Sequence, residues 1–194
     1  MNRSIGLFGG SFNPIHCGHI ALARHLLQAA GLDEVWFVVS PLNPFKRGAG
    51  DLLSDERRLR MVRLALAGHP GLVASDYEFH LPRPSYTWNT LANLRSDFPK
   101  RRFSLIIGAD NWLSFDRWAR PDFIRANFPI LVYPRPGCPL DSQALSPGVS
   151  CVDMPLYDLS STEIRRRLAV GESVRGLVPE SIEPLVEEYY GARK

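Results

Sequence analysis

Hydrophobic and polar positions along the chain fall into two alternating rhythms. Ser4–Phe8 is a short apolar run that stops at Gly9-Gly10, and Ile20–Ala30 then carries apolar residues at helical spacing as far as Gly31. Glu34–Val39 (Glu-Val-Trp-Phe-Val-Val) is almost continuously apolar, the pattern of a strand covered on both faces of a parallel sheet. Ser40–Asp51 is rich in Pro, Gly and Asn and reads as a loop. Ser54 then caps a helix with Asp55 and Glu56 in its first turn and Leu59, Met61, Val62, Leu64 and Leu66 behind them. The cycle recurs with a strand at Gly71–Ser75, a helix at Thr87–Ser96 and a strand at Phe103–Ile107 that runs into Gly108-Ala109-Asp110. Ile130–Tyr133 is a further strand, halted by Pro134 and Pro136. A polar surface connection over Cys138–Ser150, a last strand at Val152–Pro155, a helix at Ser161–Ala169 and a closing helix at Pro179–Tyr190 complete the pattern.

Strands alternating with helices predict an α/β fold, a doubly wound parallel sheet with right-handed crossovers whose ligands bind beyond the carboxyl ends of the strands. The 194 residues suit one domain over 1–194, with 161–194 as its helical C-terminal part. At 45% hydrophobic residues the chain has enough apolar material for a sizeable core. A net charge of +3 is too small to mark a partner of nucleic acid or of a membrane surface. No apolar stretch approaches the roughly 18 residues that span a bilayer, and Cys17, Cys138 and Cys151 have neither disulfide-framework nor zinc-site spacing. A cytoplasmic protein is expected, and a homo-oligomer is left open.

The chemistry concentrates in the first strand-to-helix connection, Gly6-Leu7-Phe8-Gly9-Gly10-Ser11-Phe12-Asn13-Pro14-Ile15-His16-Cys17-Gly18-His19. Glycines let a ligand approach the backbone, and free amides at the start of the next helix suit phosphate. Neither the dinucleotide-binding GxGxxG nor the P-loop spacing is present. His16 and His19, three positions apart, can face the same end of the sheet and grip a triphosphate; one of them could equally be a hydrogen-bonded structural histidine. Ser160-Ser161-Thr162-Glu163-Ile164-Arg165 places hydroxyls and a guanidinium at a helix start, where they can cap the helix or bind an anion. Lys46 is one of only three lysines, and it sits in the loop after the second strand.

The first of these segments resembles the N-terminal signature of the nucleotidyltransferase superfamily, in the form found in bacterial nicotinate-nucleotide adenylyltransferases. Ser160–Arg165 is similar to that family's C-terminal motif, which opens a helix over the ATP phosphates. Ser85-Tyr86-Thr87 with Thr90-Leu91, Gly108-Ala109-Asp110 with Trp118, and Arg135-Pro136-Gly137 match further segments, so the resemblance covers nearly the whole chain. Three positions depart from the pattern. Asn13 stands where many members have Asp, Ser11 replaces a common Thr, and Phe45 takes the place of a His before Lys46.

The resemblance implies a Rossmann-like nucleotidyltransferase domain that transfers the adenylyl group of ATP to nicotinate mononucleotide, giving deamido-NAD and pyrophosphate by direct in-line attack. It implies catalytic roles for His16, His19, Lys46 and Arg165. ATP would lie on Gly9, Gly10, Ser11, Phe12, His16, Gly18, His19, Gly108, Asp110, Ser160, Ser161, Thr162 and Arg165. The mononucleotide would lie on Asn13, Lys46, Tyr86, Thr87, Asp110, Trp118 and Arg135. Mg²⁺ would be carried by the ATP phosphates rather than by protein side chains. Another mononucleotide or phosphopantetheine adenylyltransferase, a silent nucleotide-binding sensor and an RNA-binding role are the competing readings.

Overall fold

The near-continuous apolar strands divide their side chains between two faces. Along β2 (Glu34–Val39), Val35, Phe37 and Val39 join one buried cluster while Trp36 and Val38 join another. A computed structural model describes residues 2–41, 52–140, 145–157 and 159–191. Its sheet has six strands in the order β3-β2-β1-β4-β5-β6, where the remaining strands are β1 (Arg3–Gly10), β3 (Leu72–Ser75), β4 (Arg101–Gly108), β5 (Ile130–Tyr133) and β6 (Val149–Cys151). Every pairing is parallel, and β1 lies between β2 and β4. The chain winds outward from β1 to β3 and then crosses to β4, so the topological switch point lies at the carboxyl ends of β1 and β4. This is the doubly wound architecture expected from the sequence.

Helices α1 (Cys17–Ala29), α2 (Asp55–Leu66), α6 (Ser161–Ala169) and α7 (Glu183–Tyr190) supply the first cluster, around Phe8, Ile15, Leu26 and Ile164. Helices α3 (Thr87–Asp97), α4 (Ala109–Trp112) and α5 (Pro121–Asn127) cover the opposite face, around Leu91, Leu94, Phe115 and Ile124. Among the described residues, no helix is long and apolar enough to cross a membrane.

Two expected elements are corrected. The last strand occupies Val149–Cys151 rather than Val152–Pro155, because its partner β5 is short and aligns Ile130 with Val149; beyond it Val152 keeps one bond to the Val132 carbonyl, 2.9 Å, and Pro155 has no N–H to give. The closing helix is split into a 3₁₀ turn at Glu180–Ile182 and α7, since Pro184 in the first turn of α7 cannot donate to the preceding turn.

Arg58 was not anticipated as a core residue. It has no exposed surface, and its guanidinium donates to three backbone carbonyls: Leu53 (3.0 Å), Ser11 (2.6 Å) and Ser40 (3.0 Å). It also pairs with Asp55 at 2.6 Å, whose second oxygen accepts from Arg83 at 2.8 Å. Burial lowers its pKa, and Asp55 opposes that shift. The position is dictated by the helix repeat: Arg58, Val62 and Ala65 share the inward stripe of α2, whereas Leu64 turns toward solvent.

Replacing Arg58 with Met should cost about 3–5 kcal/mol in urea unfolding, because three carbonyls and a carboxylate lose their donor in a dry site. Arg57→Ala, which removes only an exposed guanidinium 4.9 Å from the Tyr189 ring centroid, should cost less than about 1 kcal/mol. Equal losses for the two variants would remove Arg58 from this role.

Candidate active site

The β1–α1 connection is fixed from several directions by the chain's own contacts. Phe12 has a left-handed φ of 44°, unusual for a bulky residue. Its ring is buried edge-on against His19 (5.2 Å) and Phe8 (5.6 Å), so it props the histidine from the core side. Asn13 is buried as well, and its Oδ1 accepts from the Leu53 amide (3.3 Å) and the Tyr190 hydroxyl (2.6 Å). The side chains of Phe12 and Asn13, both expected to touch nucleotide, are therefore built into the scaffold of the loop.

His16 sits at the N-cap of α1, and its imidazole stacks on that of His19 with centroids 3.5 Å apart. The His16 amide donates to His19 Nδ1 at 3.2 Å, a side-chain return to the cap characteristic of helix starts. In a neutral His19 the ring hydrogen then belongs on Nε2, the opposite edge. Burial, assisted by the Arg135 guanidinium, holds the His16 imidazole down to about 3 from its ordinary 6.5. His16 is thus a neutral ring at physiological pH, able to exchange hydrogen bonds but not to supply a positive charge.

The C-terminal motif docks onto the same loop. Ser160 Oγ accepts from the Glu163 amide at 3.2 Å and so caps α6. Ser161 Oγ donates to the Pro14 carbonyl at 2.9 Å across 147 residues of sequence. Arg165 donates to the Asn13 carbonyl at 2.8 Å, with a second nitrogen 3.4 Å from Thr162 Oγ1. The two motifs meet here, and Ser160 and Ser161 have structural partners for their hydroxyls.

A cavity lies above this junction, lined by His16, Gly18, His19, Tyr133, Arg135 and Leu159 among others. Arg135, expected beside the mononucleotide, thus shares a cavity with the histidines. Its Nε is 3.6 Å from Asp110 Oδ1. Gly108 makes that convergence feasible: a Cβ there would come within 2.4 Å of Asp110 Oδ1 and 3.1 Å of the Tyr133 ring. Gly9 is different, since a Cβ built at this exposed position meets nothing within 4 Å among the described residues. Gly10 lies against the Phe12 ring, and the Ser11 carbonyl is held by Arg58.

Tyr86 and Thr87 stand at the start of α3, and Trp118 packs on Phe115 at 5.2 Å; these elements belong to the opposite face of the sheet from α1 and α6. The expected residues therefore straddle the carboxyl end of the sheet. Lys46, with Phe45, lies outside the described residues. Besides Arg58, two residues of this region escaped sequence reasoning: Tyr190, which reaches Asn13 from the last helix, and Glu78, a buried carboxyl between Ser40 and Thr90.

Residues 7–167 match the family model described as cytidylyltransferase-like. A protein of Bacteroides fragilis (strain YCH46) named "probable nicotinate-nucleotide adenylyltransferase" is 55% identical over 170 residues, covering 88% of this chain and 84% of its own. A Rhodopirellula baltica protein with the same name is 37% identical over 197 residues, covering 96% and 92%. Among solved structures, Plasmodium falciparum nicotinic acid mononucleotide adenylyltransferase complexed with NaAD superposes with a TM-score of 0.79 at 19% identity, over 96% of this chain and 94% of that one, a likeness of fold.

The lowered His16 pKa has a consequence for stability. A histidine depressed on folding contributes stability that is complete above its unfolded value and is lost as pH falls from about 6.5 toward about 3. Between pH 7.5 and 5.0 the protein should lose about 2 kcal/mol more than a His16→Gln variant. Parallel pH profiles of urea unfolding for the two proteins would show that His16 is not buried neutral.

Proposed function

The chain belongs to the cytidylyltransferase-like family, among its nicotinate-nucleotide adenylyltransferases, and from that membership and the site we infer an enzyme that joins nicotinate mononucleotide to the AMP part of ATP. The products are deamido-NAD and pyrophosphate, a step of NAD biosynthesis. The observation that carries this reading is the docking of Ser161 and Arg165 onto the Pro14 and Asn13 carbonyls, beneath the stacked His16–His19 pair.

An oxygen of the mononucleotide phosphate attacks the α-phosphorus of ATP while the bond to the bridging oxygen breaks in line, and pyrophosphate leaves with the electron pair. No protein nucleophile is needed, so catalysis rests on alignment and on stabilising charge as it develops. His19 offers a hydrogen-bond donor, His16 a neutral partner stacked beside it, and Arg165 and Arg135 positive charge. The backbone at Gly9, uncovered among the described residues, is assigned to a phosphate lying against β1. Lys46 is assigned to the attacking phosphate or the bridging oxygen. Asp110, half-exposed and paired with Arg135 of the cavity lining, is a carboxylate that would add one oxygen to a divalent ion carried mainly by the triphosphate. Mg²⁺ bound in that way would neutralise charge on the phosphates. Tyr86, Thr87 and Trp118 are assigned to the nicotinate end, where backbone donors at the start of α3 favour a carboxylate over a carboxamide.

Pyrophosphate release with ATP, Mg²⁺ and a panel of acceptors tests the reading. kcat/KM for nicotinate mononucleotide should exceed that for nicotinamide mononucleotide by at least about 10², since the amide would turn N–H groups toward unpaired donors. Similar values for both would overturn the acid preference while leaving adenylyl transfer in place. In the same assay His19→Ala should lower kcat by about 10²–10³, the usual loss for one preorganised donor. Near-normal turnover would return His19 to the scaffold.

A further inference from the structure

Glu78 lies on the 3₁₀ turn Tyr77–His80 that follows β3, and it is only 5% exposed. Among the described residues its carboxyl is held by hydroxyls. Ser40 Oγ donates to Oε2 at 2.8 Å, and Thr90 Oγ1 donates to Oε1 at 2.8 Å. Burial pushes the carboxyl upward from its usual range, and the hydroxyls of Ser40, Thr90 and Ser85 offset part of that shift. An acid in such a place costs stability compared with a packed apolar side chain of similar volume. The arrangement has a different use, which follows from what its two partners are attached to.

Ser40 immediately follows β2. Its amide donates to the Gly10 carbonyl at 2.9 Å, and its carbonyl accepts from Arg58, the guanidinium that also holds Ser11. Ser40 is therefore rigidly tied to the glycine end of β1. Thr90 has no exposed surface and lies in the first turn of α3, where its amide and that of Asn89 bond to the Tyr86 carbonyl at 3.1 and 2.9 Å. Thr90 is thus tied to the Tyr86–Thr87 helix start. Glu78 spans the two, one oxygen to each side.

We propose that Glu78 is a positioning residue for the acceptor half of the reaction: it fixes the distance between the α3 start, which receives the mononucleotide, and the β1–α1 loop, which receives ATP. The proposal rests on the assignment of Tyr86 and Thr87 to the mononucleotide. Glu78 touches neither substrate. Its loss lets α3 drift relative to the loop, which weakens the mononucleotide site and misaligns the attacking oxygen but leaves the histidine side intact. Displacements of an ångström or less are enough to matter, because in-line attack depends on the angle as well as the distance.

The test compares Glu78→Ala, Glu78→Gln and Thr90→Val in the full chain. Measurements are steady-state pyrophosphate release, with KM determined separately for each substrate, equilibrium binding of a non-hydrolysable ATP analogue, and urea unfolding. Glu78→Ala and Thr90→Val should each raise KM for nicotinate mononucleotide about tenfold or more and lower kcat. Affinity for the ATP analogue should stay within about twofold. Glu78→Gln should stay within about threefold of the parent throughout, because a carboxamide still accepts from one hydroxyl and can donate to the other. Should Glu78→Ala fail to fold, Thr90→Val, which keeps side-chain volume, and Glu78→Gln carry the comparison. Equal weakening toward both substrates in step with lost stability, or no change toward either, would overturn the proposal. If the parent enzyme releases pyrophosphate only with a different acceptor, the substrate assignment fails instead. The Glu78 variants are then scored by KM for that acceptor against affinity for the ATP analogue, with the same criteria.

Discussion

A single buried guanidinium organises the carboxyl end of the sheet. Parallel strands end with their carbonyls directed into the same region as the loops that follow, and these acceptors need donors once covered. Arg58 supplies them for Ser11 after β1, for Ser40 after β2 and for Leu53 before α2, with Asp55 balancing its charge. A lysine could not do this, since its compact ammonium lacks the planar fork that reaches several acceptors at once. Removing Arg58 would free the connections on which the candidate site is assembled.

Around that anchor, the β1–α1 loop is held by contacts from just before α2, from α6 and from α7. Leu53 and Tyr190 fix the Asn13 side chain, Arg165 its carbonyl, and Ser161 the carbonyl of Pro14. Such a loop has few ways to relax when a ligand leaves. For a reaction without a protein nucleophile this rigidity is the main asset, because dipoles already aimed at the reacting phosphates need not reorganise during the step. The stacked imidazoles belong to the same design: Phe12 supports one from the core, and the cap of α1 holds its Nδ1 edge.

The alternation of apolar runs and helical stripes was enough to read the sheet, since β2, β5 and α6 depend on local pattern and on glycine or proline stops. The short helices α4 and α5 and the displacement of β6 were not legible, because they follow from where neighbouring strands end. The histidine loop and the Ser-Ser-Thr segment were legible as motifs, and their meeting at Pro14 and Asn13 agrees with that reading. What the motifs concealed is how the residues are shared out. Phe12, Asn13 and Ser160 look like ligand contacts in sequence but have structural partners, and Arg135 sits with the histidines. Arg58, Glu78 and Tyr190 left almost no trace in the sequence, because their partners are backbone carbonyls or side chains far along the chain. The one available signal was an arginine on the inward stripe of α2.

The bond from Tyr190 to Asn13 joins residues 177 positions apart. A chain emerging vectorially from the ribosome exposes its glycine-histidine loop before the residue that holds Asn13 Oδ1 has been translated. In a nascent chain the Asn13 side chain therefore waits for Tyr190, and this contact forms only once α7 has been made.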